Sequence, residues 1–464
     1  MNRKMSVSIV AGTAFGLAGA AFGQANDSRV YSAELLADAE ERSSLLQAGT
    51  SGYDDEFFIQ SSDGNFRLGI DGFTQFRYRI NFQDDSAPAG AAAPDSVELG
   101  FGIARTRLAF QGFAGSPEVR YRIEGSFGEE NSPVGPAGGG GLAGAGTGGV
   151  GGAFNGNFGL LDAFIEYDWS DSITLRAGQF RAPFLLERLI APTQQQTIER
   201  SNQSRAFDLG FVQGVQAEYN TGAGWRARVA FHDGGNSVNS TSLSGPIGPA
   251  GAGAAGANGV PSTTALSDFA VTGRFDYALS GSLEQFDRYD SGANGDSGLL
   301  LGGAAHIQFG DDGVNGPSQD AFLFTVDATY QSAGGWNIAG AFNFRQIEGA
   351  ALGPGGVSVD TSDVGFLIQG GYYVSEDIEV FGRFDTVVGD AAGDFTTITG
   401  GANFYPLADS RALRVTSEIQ IFADGVVDGN GVPATTGGAS ALYGVGTSGT
   451  ESSVGIGSQV QLTF

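Results

Sequence analysis

The sequence predicts an all-β protein, a transmembrane antiparallel β-barrel of about 16 strands with a short N-terminal helical periplasmic segment. Three observations predict it: apolar and polar residues alternate along many segments, the links between these segments are alternately short and long, and the chain ends on an alternating strand with a terminal aromatic residue. Strands with one apolar and one charged face are typical of a closed sheet with lipid outside and water inside.

Composition favours such a sheet over a soluble domain. The 464 residues include 77 Gly and 35 Phe but no Cys, which suits tight turns and an apolar belt. Only 16% of the residues are charged, whereas a soluble domain carries about a quarter. No run of about 20 apolar residues predicts a transmembrane helix. The net charge of -27 excludes a nucleic-acid partner, because the two would repel each other.

Residues 1–25 are predicted to be a signal peptide. Asn2, Arg3 and Lys4 give a positive start, and residues 7–21 form an apolar stretch that is too short to span a membrane. Small residues offer a cleavage site after position 23 or 25. We therefore expect the chain to be exported.

Residues 26–60 are predicted to form a periplasmic helical and linker segment, ahead of a barrel domain over residues 61–464. Apolar residues recur at helical spacing between Ala33 and Leu46. Two interpretations are open: a short amphipathic helix against the barrel mouth, or a short coil that joins copies of the chain.

Strands are predicted wherever the pattern has a period of two. In the first, Phe66, Leu68 and Ile70 share one face, while Arg67 and Asp71 lie on the other. The same pattern predicts strands at 66–82, 101–113, 119–127, 158–169, 173–180, 211–219, 225–232, 267–278, 298–309, 321–330, 336–347, 364–374, 378–385, 394–404, 412–422 and 454–464. An even number is what closure of an antiparallel barrel requires when both chain ends lie on one side.

The links between these strands alternate in length, as in outer-membrane barrels with short periplasmic turns and long extracellular loops. Tight turns follow the strands that end near residues 114, 169, 220, 331 and 374. The long links are 83–100, 128–157, 233–266, 348–363 and 423–453. One link, 279–297, breaks the rule because it is long where a short turn is expected.

Aromatic residues mark the predicted membrane boundaries. The last strand ends at Phe464, and a closing strand with a C-terminal aromatic is a known insertion signature of bacterial outer-membrane barrels. Trp169, Trp225 and Trp336 each lie at a strand end beside a short turn. These are the expected positions of an interfacial aromatic girdle, so we expect outer-membrane lipid to surround the barrel.

Several blocks resemble the phosphate-selective porin O and P family. They are Arg105-Thr106-Arg107 with Gly112, Arg122-Ile123-Glu124-Gly125, the segments 161–167 and 175–184, Ile198-Glu199-Arg200-Ser201, and the segment 214–219. The resemblance extends over roughly residues 60–464. It implies a homotrimer of barrels through which small hydrophilic solutes diffuse passively, with a preference for phosphate-like anions.

The resemblance also implies that the segment 181–210, after the fifth strand, folds inward as a constriction loop. Charged residues of both signs in this segment could set a transverse field for dipolar solutes. The candidate constriction residues are Arg181, Glu187, Arg188, Glu199, Arg200 and Arg205.

Paired arginines at alternate positions predict a basic patch on the inner wall. Alternate residues of a strand face the same way about 6.6–7 Å apart, and rows of Arg in a pore select anions. The alternative is that acids such as Glu124 and Asp162 neutralise these arginines, which then only brace the wall. The expected pore-lining arginines are Arg67, Arg77, Arg79, Arg105, Arg107, Arg120, Arg122, Arg226 and Arg228.

Catalytic chemistry is not expected. His232 and His306 are the only histidines, and no spacing suggests a catalytic triad or a metal site. We therefore predict no enzyme activity, no cofactor and no metal. The leading function is passive transport of small anions or other small hydrophilic solutes. The alternatives are a non-selective general porin, a structural or adhesive surface barrel, and an outer-membrane enzyme that depends on the two histidines.

Overall fold

The structure, a computed structural model, describes most of the chain from residue 50 onward. The described residues are 50–54, 56–82, 97–127, 159–235, 267–290, 296–310, 320–352, 357–389, 394–407, 410–423 and 452–464. The predicted signal peptide 1–25, the predicted helix near 33–46 and most of the Gly-rich links therefore lie outside the described residues. None of the described helices has the length and apolar character of a transmembrane helix.

Two short strands precede sixteen longer ones. The short strands are β1 (Ser51–Tyr53) and β2 (Phe57–Gln60). The longer strands are β3 (Phe66–Phe82), β4 (Val97–Ala114), β5 (Val119–Ser126), β6 (Gly159–Ser170), β7 (Ile173–Arg181), β8 (Phe211–Asn220), β9 (Trp225–His232), β10 (Ser267–Ser280), β11 (Gly298–Gly310), β12 (Asp320–Ser332), β13 (Trp336–Leu352), β14 (Val357–Ser375), β15 (Ile378–Gly389), β16 (Phe395–Phe404), β17 (Leu413–Phe422) and β18 (Ser453–Thr463).

The sixteen long strands close into a barrel. Each pairs antiparallel with the next, and β18 returns to β3 in a register that runs from Val454 opposite Phe82 to Thr463 opposite Phe73. Closure leaves no free edge among these strands, which removes the unpaired backbone groups that lipid cannot satisfy. The prediction of a closed, sixteen-stranded antiparallel barrel is confirmed.

The two faces of the wall follow the predicted alternation. On β3, the apolar Phe76 and Phe82 are exposed on the outside, whereas Arg77 and Arg79 are only 2% and 4% exposed inside the barrel. Trp169 and Trp336 are exposed on the outer surface at strand ends, as an aromatic girdle requires. The charged groups are thus enclosed and the apolar groups face outward.

One predicted long link is wrong. The loop expected over 348–363 is mostly strand, because β13 continues to Leu352 and β14 begins at Val357. Ala350 pairs with Val359 after a register shift beyond Ile347. This irregularity breaks the strict period of two, which is why the pattern stopped predicting a strand there.

The segment 182–210, between β7 and β8, lies inside the barrel. It contains two short helices, α1 (Leu186–Leu189) and α2 (Asn202–Ala206), and a 3-10 turn at Pro192–Gln194. We call it the inserted segment. Apolar side chains from its two ends, such as Phe184 and Phe207, form a buried cluster with inward-facing wall residues that include Leu323, Ile347 and Val387. These positions of the inner face are therefore apolar, although the inner face also carries polar groups nearby such as Arg345 and Asp385.

The irregular link after β10 also folds into the barrel. Leu283, Phe286 and Tyr289 are buried against Leu186 and Ile190 of the inserted segment. The Tyr289 backbone N–H donates to the Gln194 carbonyl at 3.0 Å. The link is long because it packs inside, at the end of the barrel that carries the tight turns. We call that end the turn end.

Candidate functional site

Two wall arginines hold one side of the inserted segment. Arg105 Nη2 lies 2.6 Å from Glu199 Oε2, and Arg77 Nη1 bonds the other carboxylate oxygen of Glu199. Arg77 also donates to the Ile198 carbonyl at 3.2 Å. Arg77 and Arg105, expected to line a pore, therefore fasten the inserted segment to β3 and β4.

Side chains of the opposite wall form hydrogen bonds with backbone groups of the inserted segment. Asp385 Oδ1 accepts from the backbone N–H groups of Asn202 and Gln203 at 2.9 and 3.1 Å. Arg414 donates to the Gln195 carbonyl at 2.6 Å. Irregular backbone inside a membrane protein needs such partners. The inserted segment is thus held against the wall on the β13–β18 side.

An open cavity of about 660 Å³ remains between the inserted segment and the wall around β3–β9. Charged side chains dominate its lining. The arginines are Arg107, Arg122, Arg176, Arg181, Arg188, Arg200, Arg226 and Arg228. The carboxylates are Asp54, Glu56, Asp71, Glu124, Asp162 and Asp287.

The inserted segment separates its own charges. Arg188 and Arg200 line the cavity, together with Arg181 at the end of β7. Glu187 turns back into the segment, where Oε1 accepts from the Ser201 N–H at 2.7 Å, and Glu199 faces β3 and β4. The third carboxylate of the segment, Asp208, pairs with Arg188 at 3.2 Å. None of the three carboxylates lines the cavity, so the segment shows cations to it.

Arg181 and Arg200 form no ion pair with any carboxylate among the described residues. Arg181 lies over the Phe211 ring at 4.3 Å, and Arg200 donates to the Glu187 and Ile190 carbonyls at 3.0 and 2.7 Å. Burial, followed by the like charge of Arg181, lowers the pKa of Arg200 well below its usual range. Because Arg stays protonated in proteins, a bound anion would relieve this repulsion.

Other cavity arginines are braced by acids. Arg107 lies 3.0 Å from Glu124, and Arg122 lies 2.6 Å from Glu124 and 3.2 Å from Asp71. On β9, Arg228 lies 2.6 Å from Asp276 and Arg226 lies 3.4 Å from the same carboxylate. Asp276 itself does not line the cavity. The wall arginines named here are therefore braced by acids, whereas Arg181 and Arg200 belong to the candidate constriction residues.

The remaining expected residues have other positions. Arg67 pairs with Glu56 at 3.1 Å near the turn end. Arg120, 3.2 Å from Glu166, lines a separate cavity of about 500 Å³ at the barrel rim. Arg79 is almost fully buried, and Arg205 lies on α2 with a side chain outside the described set.

Several cavity residues were not expected from the sequence. Asp54, Glu56 and Asp287 come from segments outside the sixteen wall strands, so the alternation carries no signal for them. Phe464 also lines the cavity. Only the closure of β18 on β3 brings the chain terminus to this place.

The two histidines are wall residues. The Thr272 hydroxyl lies 2.7 Å from His232 Nε2 and 2.8 Å from His306 Nδ1, and the imidazole rings are stacked with centroids 5.6 Å apart. Within the described part of the chain, no group of three or more His, Asp or Glu could hold a metal ion.

Comparison with known proteins agrees with this architecture. Residues 76–265 match the family described as phosphate-selective porin O and P, so the resemblance seen in the sequence is confirmed over these residues. An anion-selective porin from Comamonas acidovorans is similar in structure, with a TM-score of 0.51 and 14% identity over 86% of this chain and 99% of that chain.

The outer membrane channel DcaP of Acinetobacter baumannii is also similar in structure. Its TM-score is 0.51, at 11% identity over 88% of this chain and 99% of that chain. At these identities the likeness shows a shared barrel fold. No curated protein matches the sequence significantly.

Proposed function

We propose that this chain, whose residues 76–265 match the phosphate-selective porin O and P family, is a bacterial outer-membrane porin for passive diffusion of small hydrophilic solutes. Its pathway is the cavity between the inserted segment and the wall around β3–β9, with the turn end in the periplasm. It prefers small, phosphate-like anions. Passive diffusion needs no catalytic group and no cofactor.

The observation that carries the anion preference is the charge separation on the inserted segment. Arg188 and Arg200 face the cavity while Glu187 and Glu199 are turned away from it. A constriction with such a face attracts anions and repels cations. Arginine suits this task because its guanidinium group is weakly hydrated and binds oxyanions through two parallel hydrogen bonds.

A non-selective general porin is the second candidate. The observation that favours it is the set of six carboxylates that share the cavity lining with eight arginines. Most of these carboxylates lie close to cations, as Glu124 does to Arg107 and Arg122. If the two signs cancel along the whole pathway, the channel admits both ions equally.

Export by residues 1–25 and assembly into a homotrimer are part of the same proposal. The positive and apolar character of the first residues supports export. The family resemblance supports the trimer. Size-exclusion chromatography with light scattering on the detergent-solubilised barrel measures the number of copies directly, and a monomer would contradict the trimer.

Zero-current potentials of the purified protein in planar bilayers, across a KCl gradient, test the function. The wild type should prefer chloride, and Arg181→Gln with Arg200→Gln should shift the potential toward potassium. Glu376→Gln, in an exposed turn outside this cavity, is the control and should behave as wild type. A potassium-preferring wild type contradicts the anion proposal, and a protein without conductance favours a structural or adhesive barrel. Potassium phosphate in place of KCl tests the phosphate-like preference.

A further inference from the structure

A carboxylate from outside the barrel wall lies inside the cavity near the turn end. Glu56 precedes β2 and is only 9% exposed. Its Oε1 accepts from Arg67 at 3.1 Å and its Oε2 accepts from Gln111 at 2.6 Å. Charge-assisted bonds to two neighbouring strands fix this carboxylate in one place.

The local backbone brings Glu56 to this position. β2 pairs with β3 from Phe57 opposite Ile70 to Gln60 opposite Arg67, on the edge of β3 that extends beyond β18. The chain just before β2 therefore reaches the turn-end mouth of the barrel. Arg67 lies over the Phe58 ring at 4.2 Å, which ties the side chains of β2 and β3 together.

Gly69 provides the room for the carboxylate. A Cβ atom built on Gly69 would lie 2.2 Å from Cδ, Oε1 and Oε2 of Glu56. Such a distance is far inside van der Waals contact, so any other residue at position 69 would displace the carboxylate. The glycine thus acts as a seat for Glu56.

Three carboxylates of the cavity lining, Asp54, Glu56 and Asp71, lie near the start of β3, where Arg122 pairs with Asp71. Further along the strand, Glu199 fastens the inserted segment to Arg77. Asp71 and Arg77 are six residues apart on β3, which is about 20 Å at 3.3 Å per residue. A solute that crosses the barrel meets the arginines of the inserted segment and these acids in succession.

We propose that Glu56, seated on Gly69, is a selectivity-determining residue that sets an electrostatic barrier to anions at the turn-end mouth of the cavity. This inference rests on the proposed function, because it needs ions to pass through the cavity. The barrier and the arginine face lie at different depths. The channel is therefore electrically asymmetric, and its current depends on the sign of the applied voltage.

Removing the Glu56 charge tests the proposal. Glu56→Gln keeps the size of the side chain and should raise the chloride-to-potassium permeability ratio by about twofold or more, the scale for one charge several ångströms from an ion in water. The current–voltage curve should become more symmetric. Glu376→Gln removes an exposed acid from the turn between β14 and β15 and should change neither measurement.

Gly69→Ala tests the seat without changing any charge. It should displace the carboxylate and shift the permeability ratio in the same direction as Glu56→Gln. The proposal is overturned if either variant conducts with an unchanged ratio and unchanged asymmetry. If the Arg181 and Arg200 variants also leave the ratio unchanged, the proposed function fails too. A response to those arginine variants alone leaves the proposed function intact and removes only the role of Glu56.

Discussion

Arg105 of β4 and Glu199 of the inserted segment form an ion pair of 2.6 Å in which the side chains are only 11% and 6% exposed. Arg77 of β3 shares the same carboxylate. One buried acid thus joins two strands to the segment that narrows the barrel.

Glu199→Gln should loosen the inserted segment. The change leaves Arg77 and Arg105 buried without a full counter-charge, which costs about 3–5 kcal/mol when one partner of a buried pair is lost. Single-channel conductance should rise and become noisier, and the barrel should unfold at a lower temperature in a heat-modifiability assay on gels. Glu376→Gln, in an exposed turn, is the control. Unchanged conductance and thermal stability would show that the junction does not hold the segment.

Gly178→Ala should destabilise the barrel. Gly178 in β7 has φ of 132°, and an added Cβ would lie 2.2 Å from the Ala163 carbonyl oxygen on β6. Strain of this kind costs about 1–3 kcal/mol, and the clash adds to it. The unfolding temperature in detergent should fall clearly. Gly100→Ala, where nothing lies within 4 Å of the added Cβ, should leave it unchanged. Equal stability of both variants contradicts the geometry of β6 and β7.

Acidification should increase the preference for anions. Asp287 lies in the link that follows β10, and burial raises its pKa above the usual value, although Arg226 and Arg228 act in the opposite direction. It therefore becomes neutral at a higher pH than an ordinary Asp, whose pKa is about 3.9, while the arginines stay charged. Between pH 7 and pH 4.5, the zero-current potential in a KCl gradient should move toward chloride.

Asp287→Asn distinguishes the contribution of Asp287 to the pH response from that of the other carboxylates. At pH 7 the variant should already show part of the shift that the wild type shows at pH 4.5, and its remaining pH response should be smaller. A wild type whose potential does not change with pH, or moves toward potassium as the pH falls, would contradict the charge assignment of the cavity.

The barrel was predictable because the alternation that defines each strand depends only on neighbouring residues. Lipid on one side and polar surroundings on the other force a period of two, so the segment from Phe66 to Phe82 was readable residue by residue. The pattern failed where the register shifts, as after Ile347, and it did not predict β1, β2 or the first residues of β4. The number of strands and their antiparallel closure followed from this alternation and from the lengths of the links.

The contents of the barrel were not predictable in the same way. Leu323 and Val387 lie on the inner face but pack against the inserted segment, so the wall is not uniformly polar inside. Arg77 and Arg107 both face inward on neighbouring strands, yet Arg77 holds the inserted segment and Arg107 lines the cavity. This difference depends on contacts between residues more than a hundred positions apart in the sequence, such as Arg77 and Glu199. The alternation along a single strand cannot predict such contacts.

The absence of Cys from the sequence allows a direct test of where solutes pass. Ala191 is an exposed residue of the inserted segment that lines the cavity, whereas Ala304 faces inward but is packed beneath the segment with 8% exposure. Each is changed to Cys in turn, and a negatively charged methanethiosulfonate reagent is added to the conducting channel. Ala191→Cys should lose current on modification and Ala304→Cys should not. Current loss with Ala304→Cys alone would contradict a pathway between the inserted segment and the wall around β3–β9.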